Sequence, residues 1–230
     1  MNKVVTSLAD LRQLQAPTKL LVITPWSGRK DREPLLEICK ASVRESGFDH
    51  LVIRCGSNWE TVIYSLRNEA EYVAWIDDDD FVYPGALQKC YDALEAHPKL
   101  GLAYTDEVYV NQCGNVNGEN KGMKTLIELA SHPRSVHHLA VTRRYSVDEE
   151  PLKLFNRMGQ PCPLDWLIRV RAGVQNGMIH VAGPGYAWRI HPTQISKSPI
   201  YHGTFSANLK RIRPVCHSWI ESTAQSLSYL

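Results

Sequence analysis

Up to about residue 105 the chain alternates short apolar runs with amphipathic stretches. Lys19–Thr24 (KLLVIT) is a continuous apolar, β-branched run, the pattern of a strand buried on both faces. Pro25-Trp26-Ser27-Gly28 closes it. Pro34 opens a helix on which Leu35, Leu36, Cys39 and Val43 share a face, and Gly47 ends it. His50–Arg54 (HLVIR) reads as a second strand, Trp59–Ala70 as a second helix and Tyr72–Ile76 (YVAWI) as a third strand. Pro84-Gly85 opens another helix with Leu87, Cys90, Tyr91 and Leu94 on one face, and Leu100–Thr105 is a fourth strand. The first fifteen residues read as a short helix stopped by Pro17. This alternation predicts an α/β fold, a mainly parallel sheet with helices on both faces.

The second half is less regular. Asn111–Gly122 (NQCGNVNGENKG) has the composition of a loop or hairpin tip. Val136–Arg143 is predicted as a strand, Pro163–Ala172 as a helix with Gly173 just beyond it, and Ile179–Ala182 and Ala187–Ile190 as strands flanking Gly183-Pro184-Gly185. No linker composition interrupts the chain. Residues 1–195 are therefore expected to form one domain, with 196–230 a basic extension packed on it.

Composition narrows the class. With 230 residues, 43% hydrophobic and 22% charged, the chain has ordinary globular usage, which excludes disorder and coiled-coil classes. No apolar run approaches the ~18 residues that would cross a bilayer, and the start has no signal-peptide pattern. The six cysteines form no C-x-x-C pair, as expected for reduced thiols in a cytoplasm. The net charge of +2 hides an asymmetry: residues 1–150 carry 17 Lys and Arg against 22 Asp and Glu, and residues 151–230 carry 9 against 2. A basic last third suggests a polyanionic partner or an anionic substrate.

The most informative segment is WIDDDD, Trp75 to Asp80. Neighbouring carboxylates roughly 5 Å apart at an effective dielectric near 20 repel by about 3 kcal/mol per pair. A cation or solvent must compensate them, and oxygen-only ligands favour Mg²⁺ or Mn²⁺. Asp77 and Asp79 project to one side if extended geometry continues. The cluster follows a strand's carboxyl end, where open α/β sheets bind ligands. A solvated acidic turn is the alternative. His137 and His138 are adjacent and, in a strand, point to opposite faces, which argues against a shared metal.

WIDDDDFVYPGAL resembles the Asp-x-Asp segment of GT-A-fold nucleotide-sugar glycosyltransferases, in particular the family-two-type inverting group. LVITPW resembles that family's first strand and Pro-aromatic turn, GLAYTDEVYV the strand after the metal site, and HHLAVTRR the segment before the acceptor helix. PLDWLIRVRAG resembles the acceptor helix and YAWRIHPTQIS the closing Arg-x-His segment. The resemblance spans about Lys19 to Ser196. It implies that Asp77 and Asp79 hold Mn²⁺ or Mg²⁺ against the diphosphate of a nucleotide-sugar donor, a UDP-sugar favoured. Thr24, Pro25, Trp26, Arg29 and Asp78 line the donor pocket, Arg189 closes over the diphosphate, and His191 reaches the metal. Asp165 is the general base, and His138, Arg143, Arg144 and Trp166 belong to the acceptor side.

Such a site suits glycosyl transfer, in which charge develops on the leaving diphosphate and the acceptor hydroxyl loses a proton. A nucleotidyltransferase and a non-catalytic nucleotide-binding module remain alternatives. The last eighty residues interleave Lys197, His202, Lys210, Arg211 and Arg213 with Tyr201, Phe205 and Trp219. Cations for phosphates and rings for an unstacked base suggest a DNA acceptor bearing a hydroxylated pyrimidine of bacteriophage type. A cell-surface or lipid-linked glycan is the other acceptor such a patch suits.

Overall fold

The computed structural model describes residues 3–5, 18–54, 70–144, 148–159, 162–194, 197 and 199–227. The strands are β1 (Lys3–Val5), β2 (Thr18–Trp26), β3 (Asp49–Arg54), β4 (Ala70–Trp75), β5 (Phe81–Val82), β6 (Leu102–Val110), β7 (Val116–Asn120), β8 (Ala140–Arg143) and β9 (Met178–Arg189). The helices are α1 (Glu33–Glu45), α2 (Ala86–Ala96), α3 (Leu126–Ser131), α4 (Glu150–Met158), α5 (Leu164–Asn176) and α6 (Pro199–Leu227). They build a mixed sheet in the order β1-β3-β2-β4-β8-β6-β9-β5, with β7 paired to β6. β1, β3, β2, β4, β6 and β9 run one way, and β5, β7 and β8 run against them.

Alternation along the central strands divides the core. Leu20 and Val22 of β2, with Tyr72 and Ala74 of β4, pack under Cys39, Val43, Leu87, Cys90 and Leu94 of α1 and α2. Leu21, Ile23, Val73 and Trp75 face the other way, onto Leu129, Leu167, Val170, Ile212 and Cys216 of α3, α5 and α6. Both faces of β2 and β4 are thus apolar, which is why KLLVIT and YVAWI carry no polar alternation. Burying each such Leu or Ile contributes roughly 1.5–3 kcal/mol.

Several elements differ from expectation. Lys3–Val5 is a strand rather than part of a helix: it pairs parallel to β3, Val4 opposite Val52, and tertiary pairing overrides the helical reading. The expected helix over residues 59–70 lies outside the described residues, apart from Ala70, which begins β4. The strand predicted from Val136 starts only at Ala140. Gly173 lies inside α5, where a Cβ would stand 3.1 Å from Leu129 Cδ2 and 3.2 Å from Leu126 Cδ2, so glycine lets α3 approach. The helix ends at Gly177, whose positive φ of 76° favours glycine. The two short strands around Gly183-Pro184-Gly185 are one strand, β9, with a register shift opposite Asp106. Asp106 fills that irregularity, accepting from the Gly183 and Gly122 backbone N–H groups at 2.8 Å each.

Candidate active site

The site begins where β4 ends. Ile76 N–H still donates to Ile23 O at 2.9 Å, and the chain then turns through Asp77–Asp80, closed by Asp80 N–H to Asp77 O at 3.2 Å. The four carboxylates have different surroundings. Asp80 points inward: Tyr186 Oη–H and Arg189 N–H donate to it at 2.7 Å each, tying the turn to β9. Asp78 accepts from Ser27 N–H at 3.0 Å and Ser27 Oγ–H at 3.2 Å, and pairs with the buried Arg32 at 2.9 Å. Asp79 pairs with the same guanidinium and lies 2.8 Å from His191 Nε2.

Asp77 is the exception. Its backbone N–H donates to Tyr186 Oη at 3.2 Å, but its carboxylate has no hydrogen bond to a described residue and faces a cleft of about 560 Å³. Burial, then the neighbouring Asp79 charge, push its carboxyl up to about 7. Such a group is relieved by a proton or a cation.

The opposite side of the cleft comes from α5, α6 and the segment before β8. Asp165, in the first turn of α5, accepts from Arg169 Nη2 at 2.7 Å, an i,i+4 pair whose arginine is 1% exposed. Its Oδ2 is 3.7 Å from His138 Nε2. Tyr201 and Phe205 of α6 stack with ring centroids 5.3 Å apart and line the same cleft. Burial, then Asp165 and Asp77, push the Tyr201 phenol up to about 12, so it remains a hydrogen-bond donor at neutral pH.

His137 and His138 correct the sequence reading. They precede β8 and are not in a strand, so both line the cleft with ring centroids 4.3 Å apart. Buried Glu107 holds His137 through Nδ1 at 2.8 Å. Burial, then His137 and Arg169, keep His138 well below the ordinary imidazole range and therefore neutral.

The other expected residues divide. Pro25, Asp77, Asp78, Asp79, His138 and Asp165 line the cleft. Thr24 does not: it is buried on β2, its Oγ1 2.8 Å from His50 Nε2. Trp26 is half-buried beside Arg54, whose guanidinium stands 5.9 Å from its ring centre, outside the cleft lining. Arg29 pairs with Asp31 and donates to Thr193 O at 3.2 Å, bridging β2 to the His191 loop. Arg189 is buried and donates to Asp79 O at 3.1 Å and Gln112 O at 3.0 Å, so in this conformation it braces the turn from behind.

Three residues expected on the acceptor side are placed elsewhere. Arg143 is buried and engaged by Tyr72 Oη and the Leu94 and Leu100 carbonyls. Trp166 is buried, donating to Leu129 O at 2.7 Å. Arg144 is exposed past the end of β8, away from the cleft lining. For Arg143 and Trp166 the strand or helix phase turns the side chain from the cleft. Arg32, Glu107, His137 and Arg169 were missed. Only Arg169 had a readable signal, its four-residue spacing from Asp165.

Among the described residues, two groups could hold a metal. Asp77, Asp79 and Asp80 place oxygens within 4.8 Å of one another, as do ligand atoms of Asp77, His137 and His138. Asp80 is committed to Tyr186 and Arg189. The oxygens of Asp77 and Asp79 suit a hard dication such as Mn²⁺ or Mg²⁺, with Asp79 sharing its carboxylate between the ion, Arg32 and His191. His191 stands next to Asp79 but in neither group. The histidine group fits less well, because Arg169 Nη1 lies 3.4 Å from His138 Nδ1 and repels a cation there.

No protein-family model matches the sequence, and no curated protein is similar to it. The fold is similar to that of S. aureus TarS 1–349 in complex with UDP-GlcNAc, with a TM-score of 0.53 at 13% identity. That alignment covers 81% of this chain and 64% of the TarS fragment, so the chain spans less than two thirds of its neighbour's length. A second structure of TarS 1–349 has a TM-score of 0.49 at 14% identity, covering 74% of this chain and 60% of that one. At such identity the likeness concerns the fold, an α/β sheet of GT-A type with helices on both faces.

Proposed function

We propose that this chain is a glycosyltransferase that moves a sugar from a nucleotide-sugar donor to a hydroxyl acceptor, with inversion at the anomeric carbon. One observation carries the reading. The open carboxylate of Asp77, beside Asp79 at the carboxyl end of β4, and the carboxylate of Asp165 at the start of α5 line a single cleft. A donor diphosphate belongs on the first side and an acceptor hydroxyl on the second. A UDP-sugar is favoured as donor, because the TarS structure of similar fold holds UDP-GlcNAc.

Asp77 and Asp79 would hold Mn²⁺ or Mg²⁺, which when bound supplies positive charge to the leaving diphosphate. Arg32 neutralises Asp78 and part of Asp79, so the turn keeps its shape without the ion. Asp165 takes the proton of the attacking hydroxyl. Arg169 holds that carboxylate in one orientation, and neutral His138 adds no competing charge beside it. Tyr201 and Phe205 give the acceptor an aromatic platform. Attack from this side, opposite the diphosphate, inverts the anomeric centre.

For the acceptor, a hydroxylated pyrimidine in DNA remains the proposal drawn from the basic last third. Tyr201, His202, Phe205 and Arg213 of α6 line the cleft, which supports it; Lys210 and Arg211 are exposed outside the lining, and Trp219 packs under Arg171, its ring centre 5.2 Å from the guanidinium.

The test is donor hydrolysis. UDP-, GDP- and TDP-sugars are incubated with the protein and Mn²⁺, and free sugar is followed. Slow Mn²⁺-dependent release from one donor is expected. Pyrophosphate release from a nucleoside triphosphate would instead indicate nucleotidyl transfer, and inertness towards every donor and triphosphate would indicate a binding module.

A further inference from the structure

The cleft is charged unevenly. Its acids are Asp77, Asp78, Asp79 and Asp165. Two of its arginines, Arg32 and Arg169, already pair with those acids. Arg134 and Arg213 also line it, and neither forms an ion pair with a carboxylate among the described residues.

Arg134 lies between α3 and β8, its guanidinium 4.9 Å from the Trp188 ring centre. That contact fixes the plane of the fork without neutralising it. Arg213 comes from α6, and its Nε is buried without a hydrogen-bond partner. His132 stands with them: after burial, the charges of Arg213 and then Arg134 hold its imidazole below the ordinary range. Three basic side chains from two separate parts of the chain thus line the same cleft, His132 within the electrostatic reach of both arginines. Two guanidinium groups on one cleft with no carboxylate partner among the described residues leave it with uncompensated positive charge, and a buried Nε with no acceptor costs free energy. An anion in the cleft would compensate that charge. Planar forks are suited to phosphate, which accepts two parallel N–H bonds from each.

We infer that Arg134, Arg213 and His132 form an anion subsite on the acceptor side of the cleft, taking a phosphate group carried by the acceptor. This rests on the glycosyl-transfer reading for the word acceptor, but not for the anion. The donor's diphosphate is the competing occupant. It is assigned to the Asp77–Asp79 side, where a dication is needed to hold it.

The experiment separates the two. Full-length protein in excess chelator, where the carboxylate side repels anions, is titrated with a fluorescent oligothymidylate and separately with inorganic tripolyphosphate. Arg134→Gln and Arg213→Gln are compared with it, and Mn²⁺-dependent UDP binding is measured on all three proteins. The unsubstituted protein should bind anions with affinity falling steeply as salt rises. Each substitution should weaken that binding roughly tenfold or more, leaving Mn²⁺–UDP binding within about twofold. Tight binding of the oligonucleotide alone supports the subsite with a nucleic-acid acceptor. Comparable binding of tripolyphosphate supports it with another phosphorylated acceptor. The inference is overturned if the metal-free protein binds neither probe, if the substitutions leave anion binding unchanged, or if anion and Mn²⁺–UDP binding fall together. If Mn²⁺–UDP binding is absent throughout while arginine-dependent anion binding persists, the subsite stands and the transfer reading fails.

Discussion

At the scale of the residue, neighbouring identical side chains do different work. Asp78, Asp79 and Asp80 each have protein partners that fix the turn, whereas Asp77 presents an open carboxylate. The sequence showed four acids after a buried strand, and from them came the expectation of a cation site. It did not show that Asp80 is structural, because Tyr186 and Arg189 reach it from a strand more than one hundred residues later. Nor did it show the cleft-facing histidine pair, since a strand reading sends adjacent side chains to opposite faces. Asp165 gives the sharpest residue-level prediction. Asp165→Asn keeps the shape, removes the proposed base and should lower turnover by about 10²–10⁴-fold while nucleotide binding stays the same. Steady-state rates beside a nucleotide titration measure both.

At the scale of the element, β2, β4 and their covering helices were legible because apolar runs and Pro/Gly stops are local signals. α3, α4 and the full length of β9 were not, because short helices and an irregular strand take their shape from packing. The β6–β9 pairing illustrates this. A Cβ on Gly185 would lie 2.3 Å from Thr105 Oγ1 and 2.5 Å from Thr105 Cγ2. Gly185→Ala should therefore destabilise the protein by about 1–3 kcal/mol in urea unfolding, and adding Thr105→Ala should recover part of the loss.

β2 and β3 carry a pH dependence. His50, on β3 against Thr24 of β2, is 3% exposed, and burial, then Lys40, lower its imidazole from 6.5 to about 4. Between those values the unfolded chain binds the proton and the folded chain does not, so stability rises with pH across the window. On acidification from 6.5 to 4 this residue should cost up to about 3 kcal/mol. His50→Gln should flatten that part of the urea-unfolding profile.

At the scale of the molecule, the sheet gathers distant parts of the chain into one cleft. The Asp77 turn, Asp165 on α5 and Tyr201 on α6 converge there, although α6 follows the last strand. The basic last third suggests an anionic partner but not its location. The structure places only some of those charges on the cleft, and Arg134, from the acidic part of the chain, joins them. On the proposed reading, a cation meets the carboxylate side when an anionic donor arrives.

Calorimetry of a nucleoside diphosphate binding to the protein tests that most directly. Asp77→Asn is the informative variant, because that carboxylate holds no part of the described fold. The account predicts binding with Mn²⁺ or Mg²⁺ present, none in chelator, and loss in Asp77→Asn with the melting temperature kept. Equal binding in chelator, or in the variant, or no binding under any of these conditions, would contradict it.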